Sequence, residues 1–283
     1  MPMLDSDAGY LAYFDNAPVG DNAPAVMLLH SGAASSQQWR KLIQSLTPRY
    51  RVVAPDLIGH GNTPLTQTTP TVDHEVALLT ALADRIGRPF HLIGHSYGGA
   101  VALALACAMP DRVASLALYE PVVFNLLRAA GETEGWAEIS AIARRHIALV
   151  DSGDLAGAAM VFIDYWAGKG ALLAMPEEMR HYVVGRMRKV ATDWRMLLAA
   201  APKPVDYSPL RMPVLLMSGT ASPLAARSTA EVLRNLLPAV DWRLLEGLPH
   251  MAPVSQADQV NPHFQTFLEA QGVGRPALQA ALA

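Results

Sequence analysis

Ser96 stands where a serine can be made reactive. It lies in Gly94-His95-Ser96-Tyr97-Gly98-Gly99, after the apolar run 90–93 and before the Ala-rich run 100–106. A buried strand, a sharp turn and a helix in that order are the setting of a nucleophile elbow. The turn is tight enough that its neighbours must be small, hence Gly94, Gly98 and Gly99. Ser96 is then expected in a strained backbone conformation, its hydroxyl pointing out of the sheet. The following helix aims its N–H groups and the positive end of its dipole at any oxyanion formed there. The implied chemistry is attack on an acyl carbon. A serine hydroxyl is too weakly acidic for that without a neighbouring base, so a histidine and a group to orient it are required.

The elements that must hold Ser96 alternate along the chain. Runs 25–30, 50–56, 90–95 and 113–120 read as strands, and their unbroken apolar character is that of strands covered by helices on both faces. Between them come a helix through Trp39, Leu42, Ile43 and Leu46, capped by Ser35 or Ser36, and an amphipathic helix over 71–87. Four alternations predict an α/β fold, a mostly parallel doubly wound sheet flanked by helices. Right-handed crossovers bring the loop-bearing strand ends to one edge, placing His30, Asp56, Ser96 and Glu120 there. Residues 9–14 read as an edge strand, and 16–24 as turn-rich. The rhythm resumes with a strand at 213–220, a helix over 223–237, a strand at 240–245, a loop carrying His250 and a closing helix over 259–270. No role is assigned to the tail 272–283.

Between about 122 and 204 no strand is read. Helical patterns cover 135–150, 155–168, 176–190 and 192–201. This stretch is expected to be a cap inserted above the strand ends, giving a core of 1–121 and 205–283 and a cap of 122–204. Most of its large side chains should pack a helical core. Trp136, Met160, Phe162, Tyr165 and Trp166 are assigned to an apolar substrate pocket, where flexible methionines and flat aromatics adapt to a ligand.

Half of the 283 residues are apolar (51%), enough to bury a large core, and the net charge of -3 argues against nucleic acid or an anionic membrane as the main partner. The first residues have neither a basic region nor an apolar core, so no signal peptide is expected, and no apolar run reaches the length of a membrane span. Cys107 is the single cysteine, which fits a reducing, cytoplasmic setting. Histidine spacings match no zinc motif, and neither a metal nor an organic cofactor is expected.

Four segments carry a family resemblance: Leu28-Leu29-His30-Ser31-Gly32, Asp56-Leu57-Ile58-Gly59-His60-Gly61, the elbow, and Leu248-Pro249-His250. Together they resemble the α/β-hydrolase family over nearly the whole chain. That resemblance implies a Ser, acid and His triad in chain order with a cap over it. Ser96 would be the nucleophile and His250 its base, since the family keeps its base in the loop after the last strand. His30 and His60 would hold loop geometry. His95, in the elbow itself, would pack beside the turn and is counted with the substrate-contacting residues. The oxyanion hole would use the N–H of Tyr97 and a second donor after His30, Gly32 before Ser31.

The acid departs from the commonest pattern. Where most of the family has Gly-x-x-Asp, this chain has Gly219-Thr220-Ala221-Ser222. Glu120 ends an apolar strand, where a charge is costly unless paired. It resembles the variant, found in haloalkane dehalogenases and zearalenone-type lactonases, whose acid comes from this strand end. Glu120 is assigned as the orienting acid, with Asp206 or Asp241 as fallback. Serine at the elbow argues against dehalogenase or epoxide-hydrolase chemistry, which needs a carboxylate nucleophile. The expected activity is hydrolysis of a small or medium apolar carboxylic ester or lactone by a monomer or homodimer. A thioesterase, a carbon–carbon bond hydrolase, a perhydrolase and a non-catalytic binder of small apolar ligands stay open beside it.

Overall fold

The computed structural model describes residues 1–16, 23–65, 71–199 and 206–271. Within them eight strands form one sheet in the order β1-β2-β4-β3-β5-β6-β7-β8. These are β1 (Met3–Ser6), β2 (Gly9–Asp15), β3 (Ala25–Leu29), β4 (Arg51–Pro55), β5 (Phe90–His95), β6 (Val113–Tyr119), β7 (Val214–Gly219) and β8 (Val240–Leu245). The β1/β2 and β2/β4 pairs are antiparallel and all others are parallel.

Strand β3 shows how sequence dictates the layering. Every one of its side chains is buried, Met27 and Leu29 into one core cluster and Val26 and Leu28 into the other. The second cluster lies under α1 (Arg40–Leu46) and α11 (Ala257–Ala270). The first lies under α2 (Val72–Ile86), α3 (Tyr97–Ala108) and α9 (Leu224–Leu236). Alternate residues of one strand thus feed two cores, as a doubly wound sheet requires. Thr71 caps α2 with its side chain on the His74 N–H, and Gly87 ends it in a left-handed turn at φ 75°.

Several elements differ from the sequence reading. Residues 9–14 do not form the edge strand. Met3–Ser6 pairs outside them, with Leu4 buried against the core, so β2 is interior. The helix from Ser36 begins as a 3-10 turn, Ser36–Trp39, with Ser35 as its cap. Between β6 and β7 every element among the described residues is a helix: α4 (Asn125–Ala130), α5 (Thr133–Asp151), α6 (Leu155–Ala167), α7 (Ala171–Ala174) and α8 (Glu177–Ala199). The helices expected over 176–190 and 192–201 are one, since Ala191 and its neighbours contain no breaker and Val190, Ala191 and Trp194 are all buried. After Ser255, which ends the short α10 (Ala252–Ser255), α11 closes the described chain. The expected turn at 16–24, the segment boundary at 204/205, the end of the helix expected to reach residue 201 and the tail at 272–283 lie wholly or partly outside the described residues.

Candidate active site

The ends of the parallel strands carry the site. Ser96 follows β5 with φ 55° and ψ -119°, a region that costs a non-glycine residue about 1–3 kcal/mol. Surrounding packing holds it there. A Cβ on Gly94 would sit 2.6 Å from the Gly98 carbonyl oxygen, one on Gly98 would collide with the Leu29 and His30 carbonyls, and one on Gly99 would meet Pro121 at 2.9 Å. The three glycines let β5, α3 and the strand ends on either side approach this closely.

The Ser96 hydroxyl donates to His250 Nε2 at 3.0 Å, and His250 Nδ1–H donates to Glu120 Oε2 at 2.6 Å. All three residues are buried. Glu120 sits just beyond β6 at φ 43°, and its other oxygen, Oε1, accepts from Ser218 Oγ at 2.7 Å and the Gly219 N–H at 2.8 Å. Burial alone would raise its pKa. The hydrogen bond and charge of His250, with the Gly219 N–H, outweigh that and hold it below the ordinary carboxylate value. Ser222, where the commonest pattern has Asp, is buried in the same region. Asp206 and Asp241 lie elsewhere: Asp206 bonds the Ser208 N–H and Asp241 pairs with Arg243. Tyr119 OH donates to the Pro249 carbonyl at 2.9 Å and braces the loop of His250. Trp166 lies over the imidazole with ring centroids 4.1 Å apart.

The loop after β3 is fixed by two histidines. His30 accepts the Leu57 N–H through Nε2, and His60 accepts the Ala33 N–H through Nε2, at 2.9 and 3.0 Å. Burial pushes His30 down to about 4 and His60 well below its usual value, which keeps both neutral and able to accept. The Ser31 N–H donates to Gln38 Oε1 at 3.0 Å, so it is not free for an oxyanion. The N–H groups of Gly32 and Tyr97 make no hydrogen bond among the described residues, and both residues line the cavity at Ser96. The oxyanion candidates therefore reduce to that pair.

Two cavities meet at Ser96. An outer cleft of about 430 Å³ is lined by His250, Phe162, Trp166, Met175, Met179 and Tyr182 among others. A narrow inner cavity of about 30 Å³ runs from Ser96, Gly32 and Tyr97 to Phe124, Asp193 and Trp194. Phe162 and Trp166 line both. The other assigned pocket residues do not. Met160 is 42% exposed, about 120° round α6 from the buried Trp166. Trp136 packs at the other end of the helical segment under the Arg128 guanidinium, 5.2 Å from its ring centroid. Tyr165 bonds Glu138 through its hydroxyl and only backs Trp166. His95 is fully buried with both ring nitrogens engaged: Nε2–H donates to the His250 carbonyl at 2.9 Å and Nδ1 accepts from Gln38 Nε2 at 3.1 Å. It ties the histidine loop to Gln38, and Gln38 in turn holds Ser31.

A second buried ionic group, not anticipated from sequence, lies on the far side of Tyr97. Lys189 of α8 reaches Asp193 Oδ1 at 2.6 Å and lies 3.9 Å from Glu75 Oε1. Tyr97 OH donates to Glu75 Oε1 at 3.1 Å, and the Ile58 N–H donates to Glu75 Oε2 at 3.2 Å. Burial pushes Glu75 up to about 7 and raises Asp193 as well, against the opposing pull of Lys189. The one signal in the sequence was a Lys-x-x-x-Asp pair flanked by Val190, Ala191 and Trp194, an apolar setting that a solvated helix face would not have.

Comparison with known proteins agrees with this architecture. A curated relative, lipase LipV of Mycobacterium tuberculosis, is 42% identical over 106 residues, covering 37% of this chain and 40% of that protein. The chain spans about a third to two-fifths of the length of this and the next two such relatives. The magnesium-chelatase 30 kDa subunit of Rhodobacter capsulatus is 30% identical over 264 residues, covering 88% of each chain. Among solved structures, the enol-lactonase from Burkholderia xenovorans LB400 superposes with a TM-score of 0.75 at 20% identity, over 95% of this chain and all of that one. The family model for the α/β hydrolase fold matches residues 24–256, and the chain belongs to that family.

Proposed function

We propose that this protein is a serine hydrolase that cleaves a small or medium apolar carboxylic ester or lactone through an acyl-enzyme. The observation that carries the reading is the unbroken chain Ser96 Oγ, His250 Nε2, His250 Nδ1, Glu120 Oε2, with contacts of 3.0 and 2.6 Å. The names of a lipase and an enol-lactonase among its relatives and structural neighbours support it.

In this reading His250 Nε2 takes the Ser96 proton as Oγ adds to the substrate carbonyl. Glu120 fixes the tautomer with the proton on Nδ1 and stabilises the imidazolium. The oxyanion receives the free N–H groups of Tyr97 and Gly32, at the positive end of α3. As the tetrahedral adduct collapses, the leaving alkoxide takes the proton from His250 Nε2. Water then repeats the sequence on the acyl-enzyme, giving its proton to His250, and collapse returns that proton to Ser96. Residues 122–204 act as a cap over a core of 1–121 and 205–283, and Trp166 excludes water from the imidazole face.

The test is fluorophosphonate labelling, read by intact mass, beside turnover of p-nitrophenyl butyrate, for wild type and Ser96→Ala. Wild type is expected to gain one adduct and to hydrolyse the ester. The variant should do neither, its rate falling by about a million-fold to near background. A wild type that neither labels nor turns over overturns the reading and favours a binding protein on the same scaffold.

A further inference from the structure

The inner cavity holds an acceptor that the triad does not use. Asp193 is buried, and its Oδ1 is engaged by Lys189 at 2.6 Å. The Tyr97 hydroxyl lies near enough to help stabilise this carboxylate but is donated to Glu75 Oε1 at 3.1 Å. No hydrogen bond from a described residue reaches Asp193 Oδ2, and Asp193 lines the cavity that begins at Ser96. The remaining walls near it, Val122, Phe124, Phe162 and Trp194, are apolar. A carboxylate oxygen left open to such a space is stabilised only when a donor reaches it.

Which half of an ester enters this cavity follows from the base. His250 must hand its proton to the leaving alkoxide. His250 lines the outer cleft and not the inner cavity, whereas Tyr97, whose N–H is free, lines the inner cavity and not the outer cleft, and Gly32 lines both where they meet at Ser96. The alcohol portion therefore lies in the outer cleft and the acyl chain points inward. At about 30 Å³ the inner cavity has room for roughly two water-sized groups. That matches an acyl chain with two heavy atoms beyond its carbonyl carbon.

We infer that Asp193 selects the acyl group, accepting a hydrogen bond from a hydroxyl on a short acyl chain, so that the preferred substrates are esters of short hydroxy acids with bulky apolar alcohols. This rests on the serine-hydrolase reading above and names the substrate class for that site. The step is binding only. The hydroxyl donates to Asp193 Oδ2 while Lys189 continues to neutralise Oδ1.

The experiment compares 2-naphthyl glycolate with 2-naphthyl propionate, which differ by a hydroxyl in place of a methyl. The ratio of kcat/KM values is divided by the ratio of the two alkaline hydrolysis rates, which removes intrinsic reactivity. Wild type is expected to favour glycolate by about ten- to a hundredfold on that scale, the worth of one hydrogen bond to a charged acceptor. In Asp193→Leu the corrected ratio should fall to near one. In Asp193→Asn, which keeps size and a weaker acceptor, it should fall part of the way, so a Leu variant that does not fold leaves the proposal testable. A wild-type ratio near one with both esters hydrolysed overturns the inference and leaves the hydrolase reading standing. So does fluorophosphonate labelling of Ser96 with neither short ester consumed, or a preference that survives in both variants. Absence of labelling and of turnover together means that the hydrolase reading itself has failed, and this inference with it.

Discussion

Two buried carboxylate systems flank the backbone of Ser96 and Tyr97, and they are driven in opposite directions. On one side Glu120 receives three short hydrogen bonds, from His250, Ser218 and Gly219, and is held below the ordinary carboxylate range. On the other, Glu75 receives two longer ones, from Tyr97 and Ile58, with Lys189 at 3.9 Å, and is pushed up to about 7. Both side chains are fully buried. Burial raises both, so the closeness of the donors and the neighbouring charges, His250 beside Glu120 and Lys189 and Asp193 beside Glu75, decide the outcome. The side that contacts His250, and that stabilises an imidazolium in the proposed mechanism, has the carboxylate held in its ionised form. The other side pins α8 to α2 and α3 and places Asp193 in the wall of the inner cavity.

Removing the cation tests this contrast most severely. Lys189→Met leaves Glu75 and Asp193 buried without their cation, which costs about 3 kcal/mol or more. Urea denaturation at pH 7.5 should show that loss, and acidification should recover part of it as the carboxylates take up protons. A change of a few tenths of a kcal/mol would mean that the cluster is solvated and the contrast false.

A smaller effect distinguishes the two sides by sign. The folded pKa of Glu75, about 7, is above its ordinary value of 4.5. Between those values the folded state binds more protons than the unfolded one, so the contribution of Glu75 is fully present below 4.5 and is lost as pH rises towards 7. Glu120 behaves oppositely: its contribution is present above 4.5 and is lost as pH falls through its lowered value. The stability of wild type relative to Glu75→Gln should therefore fall between pH 4.5 and 7 and be flat above. A difference that rises with pH contradicts the assignment.

The same contrast explains what the sequence disclosed. Ser96 and Glu120 were legible because each sits at the end of a strand, and the alternation of strand and helix places such ends at one edge, whereas His250, in the loop after β8, is singled out by the family resemblance. The glycines at 94, 98 and 99 were legible because only a close backbone approach needs all three. The helical segment was less readable. A run of amphipathic helices shows which side chains are apolar but not which neighbour each helix faces, and so of the residues expected in the pocket Phe162 and Trp166 line the cavities while Met160 and Trp136 do not. Lys189 and Asp193 are four residues apart, a spacing that commonly marks a solvated pair on a helix surface. Only α2 and α3 packed against them make the pair buried. Position alone leaves Ser31 beside Gly32 as an oxyanion donor, because nothing in the local sequence says that Gln38, seven residues on, occupies the Ser31 N–H.

The central claim is that Glu120, from the end of β6, is the acid of the triad although the loop at Gly219–Ser222 carries none. Glu120→Gln is the most direct test, with kcat/KM for p-nitrophenyl butyrate as the readout and circular dichroism to confirm the fold. The account predicts a folded protein that has lost about a hundred- to ten-thousandfold in kcat/KM, because the amide no longer stabilises the imidazolium. A folded variant that keeps the wild-type rate would contradict it.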